Sequence, residues 1–71
     1  MYEKAKQHLL EILSKSDGNT VAIMGDSLYY EINGEVKTDI MRGWDNYFHD
    51  IVLDKDFVTE SENMHLFITL N

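Results

Sequence analysis

Cysteine is absent from this 71-residue chain, basic residues are few, and no long apolar run occurs. Without cysteine, neither a disulfide nor a thiolate-bound metal can stabilise the fold, so stability must come from one apolar core. No segment approaches the roughly 20 apolar residues of a membrane span, and the first residues show no apolar signal region. We therefore expect one soluble, cytoplasmic domain that covers residues 1–71.

Acidic residues outnumber basic residues by thirteen to six, which gives a net charge of −7. Residues 1–24 hold three of each, whereas residues 25–71 hold ten acidic and three basic residues. The whole net charge therefore lies in the last two thirds of the chain. Direct binding to nucleic acid needs the opposite sign. An ordinary acidic surface that keeps a small protein soluble is the simplest interpretation.

The first half of the sequence predicts a helix followed by an antiparallel meander. A helix is expected over 2–16 because apolar residues recur there at helical spacing, and Gly18 ends it. Strands are expected over 20–24 and 28–32, separated by the turn Gly25-Asp26-Ser27. Asn33 and Gly34 both accept positive φ, as a type I′ hairpin turn demands, so a third strand should follow over 35–37.

The second half predicts another helix and further strands. Thr38 can cap a helix whose apolar residues, from Ile40 to Val52, follow one face, with Gly43 in its interior. Strands are expected over 57–60 and 64–70, although a short helix around 54–62 is an alternative. The predicted fold class is α+β, with an N-terminal helix, a three-stranded antiparallel meander, a second amphipathic helix and a C-terminal strand or hairpin.

The segment VAIMGDSL, residues 21–28, resembles the nucleophile block of the GDSL family of serine esterases. That family also needs glycine and asparagine blocks for the oxyanion hole and an Asp-x-x-His block for the base. No segment matches them, since Asp45 and His49 are four residues apart, and a strand pattern follows Ser27. A serine needs a base and oxyanion donors to attack a substrate. We predict that Ser27 is a turn residue and that the protein is not an enzyme.

Metal and cofactor sites are not expected either. His8, His49 and His65 do not show the spacing of zinc ligands, and no calcium loop or glycine-rich phosphate loop is present.

Six acidic residues fall between residues 45 and 62, opposed only by Lys55. If they line one edge of the domain, they would attract a basic groove of a partner, and association would be fast and sensitive to salt. A rigid row of carboxylates can compete with DNA phosphates for arginine and lysine. The sequence therefore suggests a DNA mimic.

Several short motifs resemble the small acidic anti-CRISPR proteins of phages, which inhibit the type II RNA-guided nuclease. The matching pieces are Leu9–Ile12, Thr20-Val21, Gly25-Asp26-Ser27, Asn33-Gly34-Glu35 and Gly43-Trp44, with the acidic tract after them. In that family, acidic residues occupy the nuclease site for the protospacer-adjacent motif, where arginines read DNA. The resemblance implies these partner-binding residues: Asp26, Asn33, Glu35, Asp39, Asp45, Asp50, Asp54 and Asp56.

A second interpretation is an interaction or assembly domain that inhibits nothing and forms a homo-oligomer. Tyr29 and Tyr30 are adjacent in a strand, so they must face opposite sides of the sheet. A sheet covered on one face would leave one tyrosine exposed. The strand over 64–70 could also pair with a second copy along a free edge.

Overall fold

A computed structural model describes all residues from 1 to 71 and shows an α+β fold built on one antiparallel sheet. The helices are α1 (Tyr2–Lys15) and α2 (Phe48–Leu53), with 3-10 turns at Asp17–Asn19 and Trp44–Tyr47. The strands are β1 (Thr20–Met24), β2 (Ser27–Ile32), β3 (Glu35–Ile40), β4 (Phe57–Glu62) and β5 (His65–Leu70). They lie side by side in the order β3-β2-β1-β5-β4. Neither helix is long and apolar enough to cross a membrane.

The predicted first helix and hairpin are confirmed. α1 buries the apolar residues that recur at helical spacing. Ser16 is extended after the helix, and Gly18 has a φ of 67°, which is the left-handed geometry that glycine tolerates. At the β2–β3 turn, Asn33 has a φ of 54° and Gly34 a φ of 81°. Both values are positive, as the hairpin turn requires.

The predicted second helix over 40–52 is wrong in its first half. Thr38 is not a helix cap, because β3 continues through it to Ile40 and pairs Thr38 with Tyr29. Gly43 is not inside a helix, because its φ of 91° lies in the left-handed region of backbone conformations. Helical structure begins with the 3-10 turn at Trp44 and becomes regular only in α2. Long-range pairing with β2 therefore overrides the helical spacing of the apolar residues.

The C-terminal segment joins the same sheet and is not a separate extension. β4 covers residues 57–62, so the alternative short helix around 54–62 is wrong. Asn63 and Met64 both have positive φ, at 48° and 67°, and turn the chain into β5. β5 lies between β1 and β4, so it offers no free edge. The free edges of the sheet belong to β3 and β4, which corrects the expected edge over 64–70.

Both helical segments pack on one face of the sheet, which we call the inner face. The core contains twelve buried apolar residues from α1, α2, the 3-10 turn and four strands. Trp44 is fully buried in it, and its ring stacks on His8 of α1 with centroids 6.2 Å apart. Its indole N–H has no hydrogen-bond partner, so Trp44 stabilises the fold through apolar contact.

Candidate interaction surfaces

Ser27 is the first residue of β2 and not a turn residue as predicted, because it pairs with Met24 on one side and with Ile40 on the other. The strand predicted after it is confirmed. Its hydroxyl forms no side-chain hydrogen bond, and no histidine is bonded to it, since His8 contacts Asp39 and His65 contacts the Asn63 carbonyl. No group of three or more His, Asp or Glu side chains is arranged to hold a metal ion.

Two of the predicted partner-binding residues, Asp26 and Asn33, lie in turns that acidic side chains brace. The Gly43 N–H donates to the Asp26 carboxylate at 3.1 Å. The backbone N–H groups of Asn33 and Gly34 donate to the Asp17 carboxylate at 2.9 and 2.8 Å. These carboxylates satisfy backbone donors of loops, which fixes the loop geometry. Asp26 is thus already engaged within the chain, whereas the side chain of Asn33 remains exposed.

Asp54 and Asp56 connect the α2–β4 loop to α1. The Tyr2 hydroxyl donates to Asp54 at 2.5 Å, and Lys6 Nζ lies 3.0 Å from Asp54 and 2.8 Å from Asp56. The hydrogen bond from Tyr2, followed by the contacts with the Asp56 N–H and Lys6, lowers the pKa of Asp54 against the effect of its burial. Burial and Asp54 itself raise the pKa of Tyr2. The Asp54 side chain is only 12% exposed, so it stabilises the fold and offers little surface to a partner.

Asp39 and Glu35, both on β3, also have partners within the chain. Asp39 bonds His8 Nε2 at 2.5 Å, while Glu35 accepts from Lys37 Nζ at 2.6 Å. The Glu35 side chain stays 73% exposed, and exposed pairs of this kind are weak. A partner could therefore displace Lys37 from Glu35 more easily than His8 from Asp39.

The acidic residues that have no partner in the chain lie on two sides of the molecule. Asp45 and Asp50 are exposed on the 3-10 turn and α2, within the helical layer. Glu60 and Glu62 are exposed on β4, and Glu31 is exposed on β2. By the pairing register, these three glutamates point away from the helices. The acidic residues between 45 and 62 therefore do not form one continuous strip.

The sheet face opposite the helices, which we call the outer face, has no covering layer. On β1 and β5, the inner-facing residues Val21, Ile23, Leu66 and Ile68 are buried, whereas their neighbours in the sequence are half-buried or exposed. The outer face carries six large apolar or aromatic residues: Met24, Tyr29, Val36, Ile40, Val58 and Phe67. Tyr30 packs against the core while Tyr29 faces outward, which confirms their predicted opposite orientation.

Two grooves mark the surface. One, of about 330 Å³, lies mainly on the outer face and is lined by Ala22, Tyr29, Glu31, Val36 and Phe67 among others. The second, of about 550 Å³, lies between α2 and the β4–β5 hairpin and is lined by Phe48, His49, Val52, Met64 and His65 among others. Only the outer-face groove combines aromatic rings with a carboxylate that has no partner.

The partner-binding residues predicted from the sequence include none of the residues on the outer face. The sequence did carry a signal for an accessible sheet face: along β5, His65, Phe67 and Thr69 alternate with apolar residues. That alternation became informative only once β5 was known to pair with β1.

No protein-family model matches the chain, and neither a curated protein nor a solved structure shows significant similarity to it.

Proposed function

We propose that this is a non-catalytic binding protein whose carboxylates occupy a basic, nucleic-acid-binding surface of another protein. The observation that carries the proposal is the set of free carboxylates in the acidic part of the chain. Of the ten acidic residues in 25–71, five are exposed and have no partner within the chain: Glu31, Asp45, Asp50, Glu60 and Glu62.

Rigid placement supports this function. Four of the five free carboxylates lie on strands or on α2, and Asp45 lies on the adjoining 3-10 turn. Carboxylates held on such elements lose little conformational entropy when they meet arginine or lysine. Individual exposed charge pairs contribute only about 0–1 kcal/mol. Binding must therefore come from several pairs acting together, and it should weaken as salt rises.

The type II RNA-guided nuclease is the first partner to test, because its arginines read the protospacer-adjacent motif. In that complex, Asp45 and Asp50 would contact the partner directly, together with Asn33 and Glu35 on the hairpin. Asp26, Asp54 and Asp56 would mainly hold the loops that present these residues, and Asp39 would hold β3 to α1 through His8. The proposal places the encounter in the cytoplasm.

The test is capture of the purified nuclease at several salt concentrations, with and without DNA that carries the motif. The Asp45→Asn/Asp50→Asn double variant should bind more weakly, by about three- to tenfold. Glu3→Gln/Glu11→Gln is the matched control, because it removes two exposed, unpaired carboxylates from the neutral part of the chain. The control should bind nearly as well as the wild type, and competing DNA should block capture.

A different result would change the interpretation. Capture of the nuclease that ignores salt, competing DNA and both variants would contradict a role for the carboxylates. If nothing is captured and the protein has the mass of a dimer in solution, the assembly domain becomes the better function. The free edges of β3 and β4 are the observation that favours that second candidate.

A further inference from the structure

The outer face has the size and composition of a protein-binding surface. Five strands at about 4.8 Å spacing and six residues at about 3.3 Å rise give a face of about 24 by 20 Å. Val36 is 63% exposed, Ile40 69%, Val58 53% and Phe67 36%. Contiguous exposed apolar residues on a small protein mark interaction sites. The face is therefore a candidate docking surface, and its charge indicates which kind of partner fits it.

The outer face carries carboxylates and no cationic side chain of lysine or arginine. Glu31, Glu60 and Glu62 point outward from β2 and β4. Lys37 is the sole lysine or arginine in any of the five strands, and it alternates with outward-facing Val36, so it points to the other side. His65, which faces outward from β5, is the one basic side chain on this face, so any lysine or arginine that balances the carboxylates must come from outside the chain.

A second copy of the chain fits this face poorly. Two outer faces packed together would bring carboxylates toward carboxylates, on molecules that each carry a charge of −7. Like charges brought together across an interface are unfavourable. Charge complementarity instead favours a basic partner.

We infer that the outer face is a second docking surface for the basic partner protein, and that it binds arginine side chains of that partner. This inference rests on the proposed function and adds the outer-face carboxylates to the contacts that Asp45 and Asp50 make from the helical side. Arginine suits the face because its planar guanidinium stacks on aromatic rings and also pairs with carboxylates. Tyr29 and Phe67 provide the rings, with one side of the Phe67 ring stacked on His65 at 5.8 Å between centroids, and Glu31 lines the same groove.

The groove has room for such a side chain. Its volume is about 330 Å³. Glu60 pairs directly with Phe67 across β4 and β5, which places a second carboxylate beside the ring. An arginine lying on Phe67 would thus have Glu60 of β4 on one side and Glu31 of β2 on the other.

The test uses a hexa-arginine peptide as the probe and ¹⁵N-labelled protein observed by NMR. Addition of the peptide should shift the amide signals of the outer-face residues, above all Tyr29, Glu31, Glu60 and Phe67. Hexa-lysine should bind about three- to tenfold more weakly, because an ammonium stacks less well on aromatic rings. The wild-type protein should keep its monomeric mass in the presence and absence of the peptide.

Two matched variants locate the site. Glu31→Gln/Glu60→Gln should weaken hexa-arginine binding about three- to tenfold, whereas Asp45→Asn/Asp50→Asn should change it less than about twofold. Phe67→Ala keeps the charge and should abolish the preference for arginine over lysine. Circular dichroism spectra identical to that of the wild type establish that each variant is folded.

The outcomes separate this inference from the proposed function. If the peptide binds in a salt-dependent manner but shifts signals on α2 and is weakened by the Asp45 and Asp50 changes, the outer face is not the site and the proposed function stands. If neither peptide binds at low salt, both are contradicted. A dimer that buries the outer face would overturn the inference in favour of a second copy.

Discussion

The two faces of the sheet are built from the same strands, yet they differ in burial and in charge. On the inner face, Val21, Ile23, Leu28 and Ile68 are at most 1% exposed. On the outer face, their sequence neighbours remain half-buried or exposed. A period of two thus divides each strand between a stabilising side and an accessible side. Each residue that faces the core is therefore followed in the strand by a residue that is accessible to a partner.

The two faces differ in burial because both helical segments of the chain pack on the inner face. α1 carries one apolar stripe, and the segment from Trp44 to α2 carries the other. Both stripes are used on the inner face, so no further helix is left to cover the outer face. The apolar residues of the outer face therefore lie outside the core.

The largest effect should come from removing the central side chain of the covered face. Trp44→Ala should lower the free energy of unfolding by about 3–5 kcal/mol, because it leaves a large cavity between α1 and the sheet. A domain of this size has a total stability of only roughly 4–10 kcal/mol. Urea unfolding followed by circular dichroism measures the loss. A variant that stays as stable as the wild type but loses its partner would mean that Trp44 is an exposed contact residue.

Adjacent residues of β5 allow the two faces to be compared directly. Ile68→Ala, on the inner face, should cost about 2–5 kcal/mol because Ile68 is fully buried. Phe67→Ala, on the outer face, should cost less than about 1 kcal/mol, since it loses cross-strand contacts and the exposed stacking on His65 but no core packing. Urea unfolding of both variants measures the two losses in the free energy of unfolding. Equal losses would show that the outer face is covered in solution by a second copy of the chain.

The contact between Asp54, Tyr2 and Lys6 secures the covering layer and should titrate. Asp54→Asn should cost about 1.5–3 kcal/mol at neutral pH. Asp56→Asn is the control and should cost less than about 1 kcal/mol, because Asp56 is 63% exposed. The pKa of Asp54 is lowered from its ordinary value of 3.8, so its contribution is present above that value. As pH falls below 3.8, the difference between wild type and Asp54→Asn should shrink.

Tyr2 gives the opposite dependence on pH. Its pKa is raised from the ordinary value of 10.0, so the protonated hydroxyl stabilises the fold below that pH. This contribution is lost as pH rises beyond 10. The difference in stability between the wild type and Tyr2→Phe, measured from pH 7 to 11, should therefore be constant below pH 10 and begin to shrink above it. A constant difference would show that the Tyr2–Asp54 bond does not form.

The smallest effect is expected at Ser27, at the end of β2. Ser27→Ala should change stability by less than about 1 kcal/mol, because its hydroxyl has no hydrogen-bond partner to lose. It should also leave partner binding unchanged. Hydrolysis of a simple ester by the wild type, lost in Ser27→Ala, would contradict the prediction that Ser27 has no catalytic role.

Local signals made α1, β1, β2 and the Asn33-Gly34 turn predictable, while the segment from Thr38 to Gly43 was misread. Its apolar residues have helical spacing, yet hydrogen bonds to β2 extend β3 through Ile40. Among the predicted site residues, exposure of Asp45 and Asp50 agrees with a binding role, but the engagement of Asp26 and Asp54 depends on distant partners. Sequence spacing carries no information about such contacts.

Features that depend on neighbours within a few residues can be read from the chain alone: the apolar stripe of α1, the positive φ at Asn33 and Gly34, and the excess of acidic residues after Met24. The insertion of β5 between β1 and β4, and the packing of both helical segments on the same face, appear only in the folded protein. These choices depend on contacts between residues more than 40 positions apart, such as Val21 with Ile68. They determine which carboxylates are consumed as internal partners and which face remains open to another protein.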